Sequence, residues 1–288
     1  MRFAKRTEWN TEESELARTH RERLAAGLPV ADLTASNPTR CGFGYGAELL
    51  DALEDERALD YDPSPRGLYA AREAVCTYYA EHDVENAPEQ VVLTTSTSEA
   101  YSFLFRLLCD ACDEVLTLVP GYPLFNFLAD LDDVKLTSAG LVYDHGWQID
   151  PEAIRRAVTE KTRALVLVHP NNPTGHFTKE WEAEELARIC RERGLALIVD
   201  EVFLDYAFET GARSFAAGLP GVNVFVVSGL SKIAGLPQMK AAWIAAVGPQ
   251  KDASLERLEV IADTFLSMNA PVQWAMPKWL GGRKRIQE

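Results

Sequence analysis

Cysteine is scarce in this 288-residue chain, with five residues, an odd number. That excludes a disulfide-stapled fold and predicts reduced, cytoplasmic thiols. Cys109 and Cys112 form one CxxC, but no second pair follows for zinc. The spacing also closes an apolar, helix-like segment, so core or surface thiols are expected and no metal site. Long apolar runs are missing too, so nothing reaches membrane-spanning length. The N-terminus MRFAKRTEWNTEESELARTH is charged and lacks the apolar stretch of a secretory signal. Positive charge is short: 29 Lys and Arg stand against 43 Asp and Glu, a formal net charge of −14. Nucleic acid and anionic membranes both need clustered Lys and Arg, so neither is an expected partner. Finally, there is no GxGxxG. The glycines of Cys41 to Gly46 have the wrong spacing and no helix start where a phosphate loop needs one, so they are expected to form a mobile connector, with an edge of the active site as the alternative.

What is present suits a large core, with 47% hydrophobic residues. Residues 8 to 26 predict an amphipathic helix ended at Gly27-Leu28-Pro29, and Val30 to Leu33 a short strand. A helix near 46 to 58 precedes the loop Tyr61-Asp62-Pro63-Ser64-Pro65-Arg66-Gly67-Leu68, whose prolines present Tyr61. A helical run to about Glu81 follows. Then the pattern alternates: strands at 90–95, 114–118, 134–138, 163–168, 195–199, 222–227 and 241–247, with helices at 97–109, 122–131, 151–159 and 178–193. Such alternation predicts an α/β fold, a mostly parallel sheet sandwiched by helices.

In these sheets ligands gather at the carboxyl ends of the strands. Ser96-Thr97-Ser98 follows the first strand and opens a helix, offering hydroxyls and free amides to a phosphate, although an N-cap explains one hydroxyl without any ligand. Pro120-Gly121-Tyr122-Pro123 can present an aromatic face or simply pack. His169-Pro170-Asn171-Asn172-Pro173-Thr174-Gly175 can hold an amide rigidly or form an ordinary turn. Asp200 ends the run Leu195 to Val199. A carboxylate there needs a partner such as a protonated pyridine nitrogen, unless Asp200 or Glu201 caps the next segment. Lys232 follows Val224-Phe225-Val226-Val227-Ser228-Gly229. An amine in a water-excluding pocket can condense with an aldehyde to a Schiff base, whereas a solvated loop lysine does nothing. Together, a phosphate cup, a ring platform, an amide, a carboxylate and a lysine describe a site for a phosphorylated pyridine aldehyde.

With Asn172-Pro173-Thr174-Gly175, Asp200-Glu201-Val202-Phe203 and Ser231-Lys232 in this order, the chain resembles the class I/II aminotransferases, pyridoxal-phosphate enzymes of fold type I. By that resemblance residues 1–45 are an N-terminal segment of the small domain and connector. Residues 46–288 are the large pyridoxal 5'-phosphate domain, running into the start of a C-terminal helix. Lys232 carries the cofactor as an aldimine and moves the substrate proton. Asp200 pairs with the ring nitrogen, Asn172 binds the ring hydroxylate and Tyr122 stacks on the ring. Thr97 and Ser98 bind phosphate, and Tyr61 reaches the phosphate of the neighbouring subunit of a homodimer. Asn37 and Asn172 are placed at the substrate.

There are departures from the family pattern. Phe203 replaces a frequent tyrosine. Gly229 replaces a phosphate-binding serine, leaving Ser228 or Ser231 as substitutes, and Lys240 replaces an arginine, keeping charge without the bidentate fork. The family's C-terminal segment, with its arginine for the substrate carboxylate, has no counterpart here, so the chain reads as truncated. Arg283 and Arg285 are expected to be solvated helix charges. The expected reaction passes an amino group from an amino acid to a 2-oxo acid. The alternatives are a lyase or synthase of the same fold, or a chain that binds cofactor without turnover.

Overall fold

The computed structural model of the chain describes residues 1–31, 36–208 and 213–287. Two units divide it, Met1–Tyr45 and Gly46–Glu288.

In the first unit, Ser14 caps α1 (Glu15–Ala25) by accepting from the Ala17 amide at 3.1 Å, satisfying one of the free N–H groups of the first turn. The predicted helix thus forms in shortened form, with none of its residues buried. Asn37 caps a single 3₁₀ turn, Pro38–Arg40. Val30 and Ala31 form no strand, and Asp32 and Leu33 of that expected strand lie outside the described residues.

The second unit opens with α2 (Glu48–Asp51), which corrects the single helix expected over 46–58. Asp55 interrupts it: its carboxylate accepts from the Arg57 amide and starts a separate 3₁₀ turn, Glu56–Leu59. Then come α3 (Tyr69–Ala80), β1 (Val91–Thr94), α4 (Thr97–Leu108), β2 (Glu114–Val119), α5 (Leu124–Leu131), β3 (Lys135–Tyr143), β4 (Trp147–Ile149) and α6 (Pro151–Ala157). β5 (Thr162–Val168), α7 (Glu180–Arg193), β6 (Ala196–Asp200), β7 (Val224–Gly229), α8 (Leu230–Ile233), β8 (Ala242–Val247), α9 (Lys251–Phe265), α10 (Ala270–Gly281) and α11 (Lys284–Gln287) complete it. Gly194 ends α7 in the left-handed conformation, φ 66°, where a side chain would be strained.

The eight strands form one sheet in the order β1-β8-β7-β6-β5-β2-β3-β4. β2 with β3, β2 with β5, β5 with β6 and β6 with β7 are parallel. β8 runs antiparallel between β1 and β7, and β4 is an antiparallel edge on β3. Every residue of β6, β7 and β8 is buried, which is why these strands read as continuous apolar runs. One face packs Val92, Ile244, Phe225 and Ile198 against α4, α5 and α9. On another side α3 brings Tyr79, whose hydroxyl accepts from Trp243 Nε1 at 3.1 Å.

Register fixes what meets at one sheet edge. Val168 pairs with Asp200, Asp200 with Val227, and Gly229 with Ala242, which also faces Thr94. The carboxyl ends of β1, β5, β6 and β7 therefore share that edge with the start of β8. Among the described residues no helix is long and apolar enough to cross a membrane, and no cluster of His, Cys, Asp and Glu could hold a metal. The cysteines are free.

Candidate active site

Asp200, the last residue of β6, is 7% exposed. Burial pushes its carboxyl up to about 6, against three groups that favour the ionised form: the Val202 amide at 3.1 Å, the Tyr101 hydroxyl at 3.0 Å and the charge of Lys232. The capping interpretation holds only in that the Val202 amide is satisfied. A half-empty, buried carboxylate remains, and a cation is what it lacks.

Lys232 lies in α8, directly after β7. Its backbone is fixed from two sides: the Tyr206 hydroxyl donates to the Lys232 carbonyl at 2.7 Å, and the Gln287 side chain donates to the Ile233 carbonyl at 2.7 Å. The Nζ stands 5.7 Å from the Phe203 ring centroid and forms no ion pair with a described residue. Phe203 thus gives the amine an aromatic face where a tyrosine would give a hydroxyl.

Gly229 is required by close approach. A Cβ there would sit 2.8 Å from the Ala241 carbonyl and from the Ala242 Cβ, so the serine expected from the resemblance does not fit this backbone. Of the two substitutes, Ser228 is buried and donates to the Glu201 carbonyl at 3.4 Å, whereas Ser231 is half-buried.

At the start of α4, Ser96 is the cap, accepting from the Glu99 amide at 3.2 Å. Glu99 is occupied in turn by Thr95 and by Ser267, whose hydroxyl donates to it at 2.8 Å. Thr97 and Ser98 stay half-buried, with hydroxyls unused by any described residue, beside the first-turn amides. In the turn after β5, Asn171 and not Asn172 is the structural amide. It donates to the Pro120 carbonyl at 3.1 Å and to Thr174 Oγ1 at 2.8 Å. The turn after β2 is thereby tied to the turn after β5, leaving the half-buried Asn172 amide without a described partner.

Tyr122 is 45% exposed in the turn after β2, its ring edge-on to Phe125 at 6.0 Å. Lys240 is exposed just before β8. Tyr61, 83% exposed, lines a cleft of about 630 Å³ with Arg57, Leu93, Gln273 and Trp274. A second cavity of about 160 Å³ lies beside Tyr122. Neither is lined by Lys232 or Asp200, which lie instead at the strand ends. Asn37 belongs to the first unit, where its carboxamide accepts from the Thr39 amide at 3.0 Å.

Tyr101 carries no signal in the sequence, because it sits in the apolar pattern of a core helix. Arg283 corrects an expectation. It is 4% exposed, not solvated, and pairs with Glu81 at 2.9 Å and Asp205 at 3.2 Å.

Glu201 carries a consequence for pH. It is fully buried, and burial raises its carboxyl to about 8, with the charges of Asp200 and Asp205 adding to the rise. The Ser214 hydroxyl at 2.7 Å and the Phe215 amide at 2.6 Å oppose it. Its folded pKa exceeds its ordinary 4.5, so between those values the folded state binds more protons than the unfolded state. The contribution of Glu201 to stability is therefore fully present below about 4.5 and falls as pH rises toward 8, by up to about 1.4 kcal/mol per pH unit. Urea unfolding at several pH values is expected to show a shallower fall in Glu201→Gln than in wild type. Parallel slopes would refute the assignment.

Residues 46–288 match the family Aminotransferase class I and II. Glutamate-pyruvate aminotransferase AlaA of Haemophilus influenzae is 29% identical over 277 residues, covering 93% of this chain and 69% of its own. Alanine aminotransferase of Mycobacterium tuberculosis is 29% identical over 282 residues, covering 93% and 64%. Among solved structures, alanine aminotransferase from Pyrococcus furiosus superposes with a TM-score of 0.87 at 26% identity, covering 99% of this chain and 75% of that one. The chain thus spans about two thirds of the curated relatives it matches.

Proposed function

The chain belongs to the class I and II aminotransferases, a family of pyridoxal 5'-phosphate enzymes, and from that premise we propose that it passes an amino group from an amino acid to a 2-oxo acid. The observation that carries the reading is the pairing of strand ends: a buried Asp200 closing β6, beside β7 and the Lys232 that follows it, which has no ion pair with a described residue. When bound, the cofactor supplies an electron sink for the pair left when the substrate α-proton is removed.

The residues present fit that group. Asp200 has open acceptor capacity for the ring nitrogen, and holding it ionised beside a cation makes up for its burial. Lys232 Nζ takes the α-proton and returns it, its backbone held still by Tyr206 and Gln287 so that little orientation remains to be fixed. Tyr122 offers the ring a face and Asn172 an amide donor. Thr97, Ser98 and the first-turn amides of α4 receive the phosphate, and Lys240 adds charge without a bidentate grip. Tyr61, exposed on the loop before α3, serves a second subunit of a homodimer. The free thiols suit the reducing cytoplasm.

The test supplies pyridoxal phosphate and a donor with or without an acceptor, beginning with L-alanine or L-glutamate because the relatives' names point there. The expected outcome is a new amino acid formed only when a 2-oxo acid is present. Ammonia released from the donor alone would replace this reading with the elimination alternative.

A further inference from the structure

Asp200 answers to a residue outside the strand-end pattern. Tyr101 lies in the second turn of α4, 2% exposed, and its hydroxyl donates to Asp200 Oδ2 while the Val202 amide takes Oδ1. Each carboxylate oxygen thus holds one donor and can accept another. The Tyr101 ring is fixed as well, edge-on to Phe125 with centroids 4.9 Å apart, and Phe125 is in turn perpendicular to Tyr122 at 6.0 Å. One side chain therefore touches the acid through its oxygen and reaches the aromatic platform through one intervening ring.

We propose that Tyr101 is a positioning residue of this site, its hydroxyl keeping Asp200 ionised and in one orientation while its ring, through Phe125, sets the stance of Tyr122. The consequence for cofactor binding rests on the function proposed above; the hold of Tyr101 on Asp200 does not. A hydrogen bond to the charged form of a buried acid favours that form, and only the ionised acid can pair with a protonated ring nitrogen. The other charged groups facing Asp200 cannot take over. Lys232 acts from α8 without an ion pair to a described residue, and the adjacent Glu201 is turned to Ser214 and Phe215. Tyr101→Phe keeps the ring packing and removes only the donor.

The experiment is an infrared pH titration of the chain without cofactor, the Asp200 carboxyl band being assigned by its loss in Asp200→Asn. In Tyr101→Phe the midpoint is expected to rise by about one pH unit. In Phe125→Leu, which keeps the hydroxyl, it stays where it is. An unmoved midpoint in Tyr101→Phe overturns the inference, and so does an equal rise in Phe125→Leu, which would make the effect one of packing. Pyridoxal phosphate is then titrated onto the same proteins and followed by visible absorption, with binding to Tyr101→Phe expected to be roughly tenfold weaker, the equivalent of one pH unit. Wild-type chain that takes up no cofactor, together with a risen midpoint, would sink the cofactor reading and leave the Tyr101–Asp200 hold standing.

Discussion

Lys232→Ala is expected to remove the visible absorption band that added pyridoxal phosphate gives with wild-type chain, and to lower amino transfer by on the order of 10⁴-fold or more. The size follows from two roles resting on one atom. In the function proposed above, the Nζ would both hold the aldehyde and move the α-proton, and a positioned base alone contributes about 10²–10⁴-fold. No neighbour replaces it: Lys240, the nearest lysine in sequence, is exposed and lies before β8, not in α8. The variant should fold, because the ammonium forms no described ion pair and the bonds that shape α8 run through backbone. The Leu230 amide donates to the Ala241 carbonyl at 2.9 Å, and the Tyr206 hydroxyl to the carbonyl of residue 232. A band of unchanged intensity in Lys232→Ala, with melting intact, would place the reactive amine elsewhere.

Lys232 and Asp200 stand out as candidates in the sequence because Asp200 closes one buried apolar run and Lys232 follows another by three residues, and a charge beside such a run needs a reason. The strands themselves were legible for the same cause. Their order was not: β8 enters between β1 and β7 antiparallel to both, and nothing local in Ala242 to Val247 encodes its direction. The three residues of β4 are too few to show a period. The helix expected at 46–58 failed on Asp55, whose side chain competes for a backbone amide. Tyr101 was invisible for the opposite reason to Asp200: a tyrosine on the inner face of an apolar helix fits the core pattern, and its function lies in an oxygen whose partner is 99 residues away.

Arg283 shows the same limit and the largest expected effect on stability. Its sequence neighbourhood, Gly-Gly-Arg-Lys-Arg, reads as solvent-facing charge, and its partners Glu81 and Asp205 are 202 and 78 residues distant. In the fold its guanidinium grips both Glu81 oxygens, takes Asp205 with its Nε and lies over the Tyr78 ring at 4.9 Å. Arg283→Met is expected to cost about 3–5 kcal/mol, because it takes from Asp205, with a side chain only 5% exposed, the one arginine or lysine that pairs with it among the described residues. Tyr78, His82 and Gln287 still donate to that carboxylate, so the lower end of the range is expected near neutral pH. Arg285→Met, two residues on, removes a side chain 75% exposed with one pair to Glu48, and is expected to cost less than about 1 kcal/mol. The two variants have the same composition, so urea midpoints side by side isolate burial as the cause. Acid supplies an independent check. Arg283, then Lys284, hold Glu81 down to about 2 from its ordinary 4.5, so this contribution is complete above about 4.5 and lost as pH falls toward 2. The gap between wild type and Arg283→Met should therefore narrow through that window. A gap that stayed constant would assign the loss to packing on Tyr78. The same network ends at the turn that carries Lys232, since Gln287 bridges Asp205 and the Ile233 carbonyl. Loosening Arg283 is thus expected to weaken cofactor uptake under conditions where the chain is still folded.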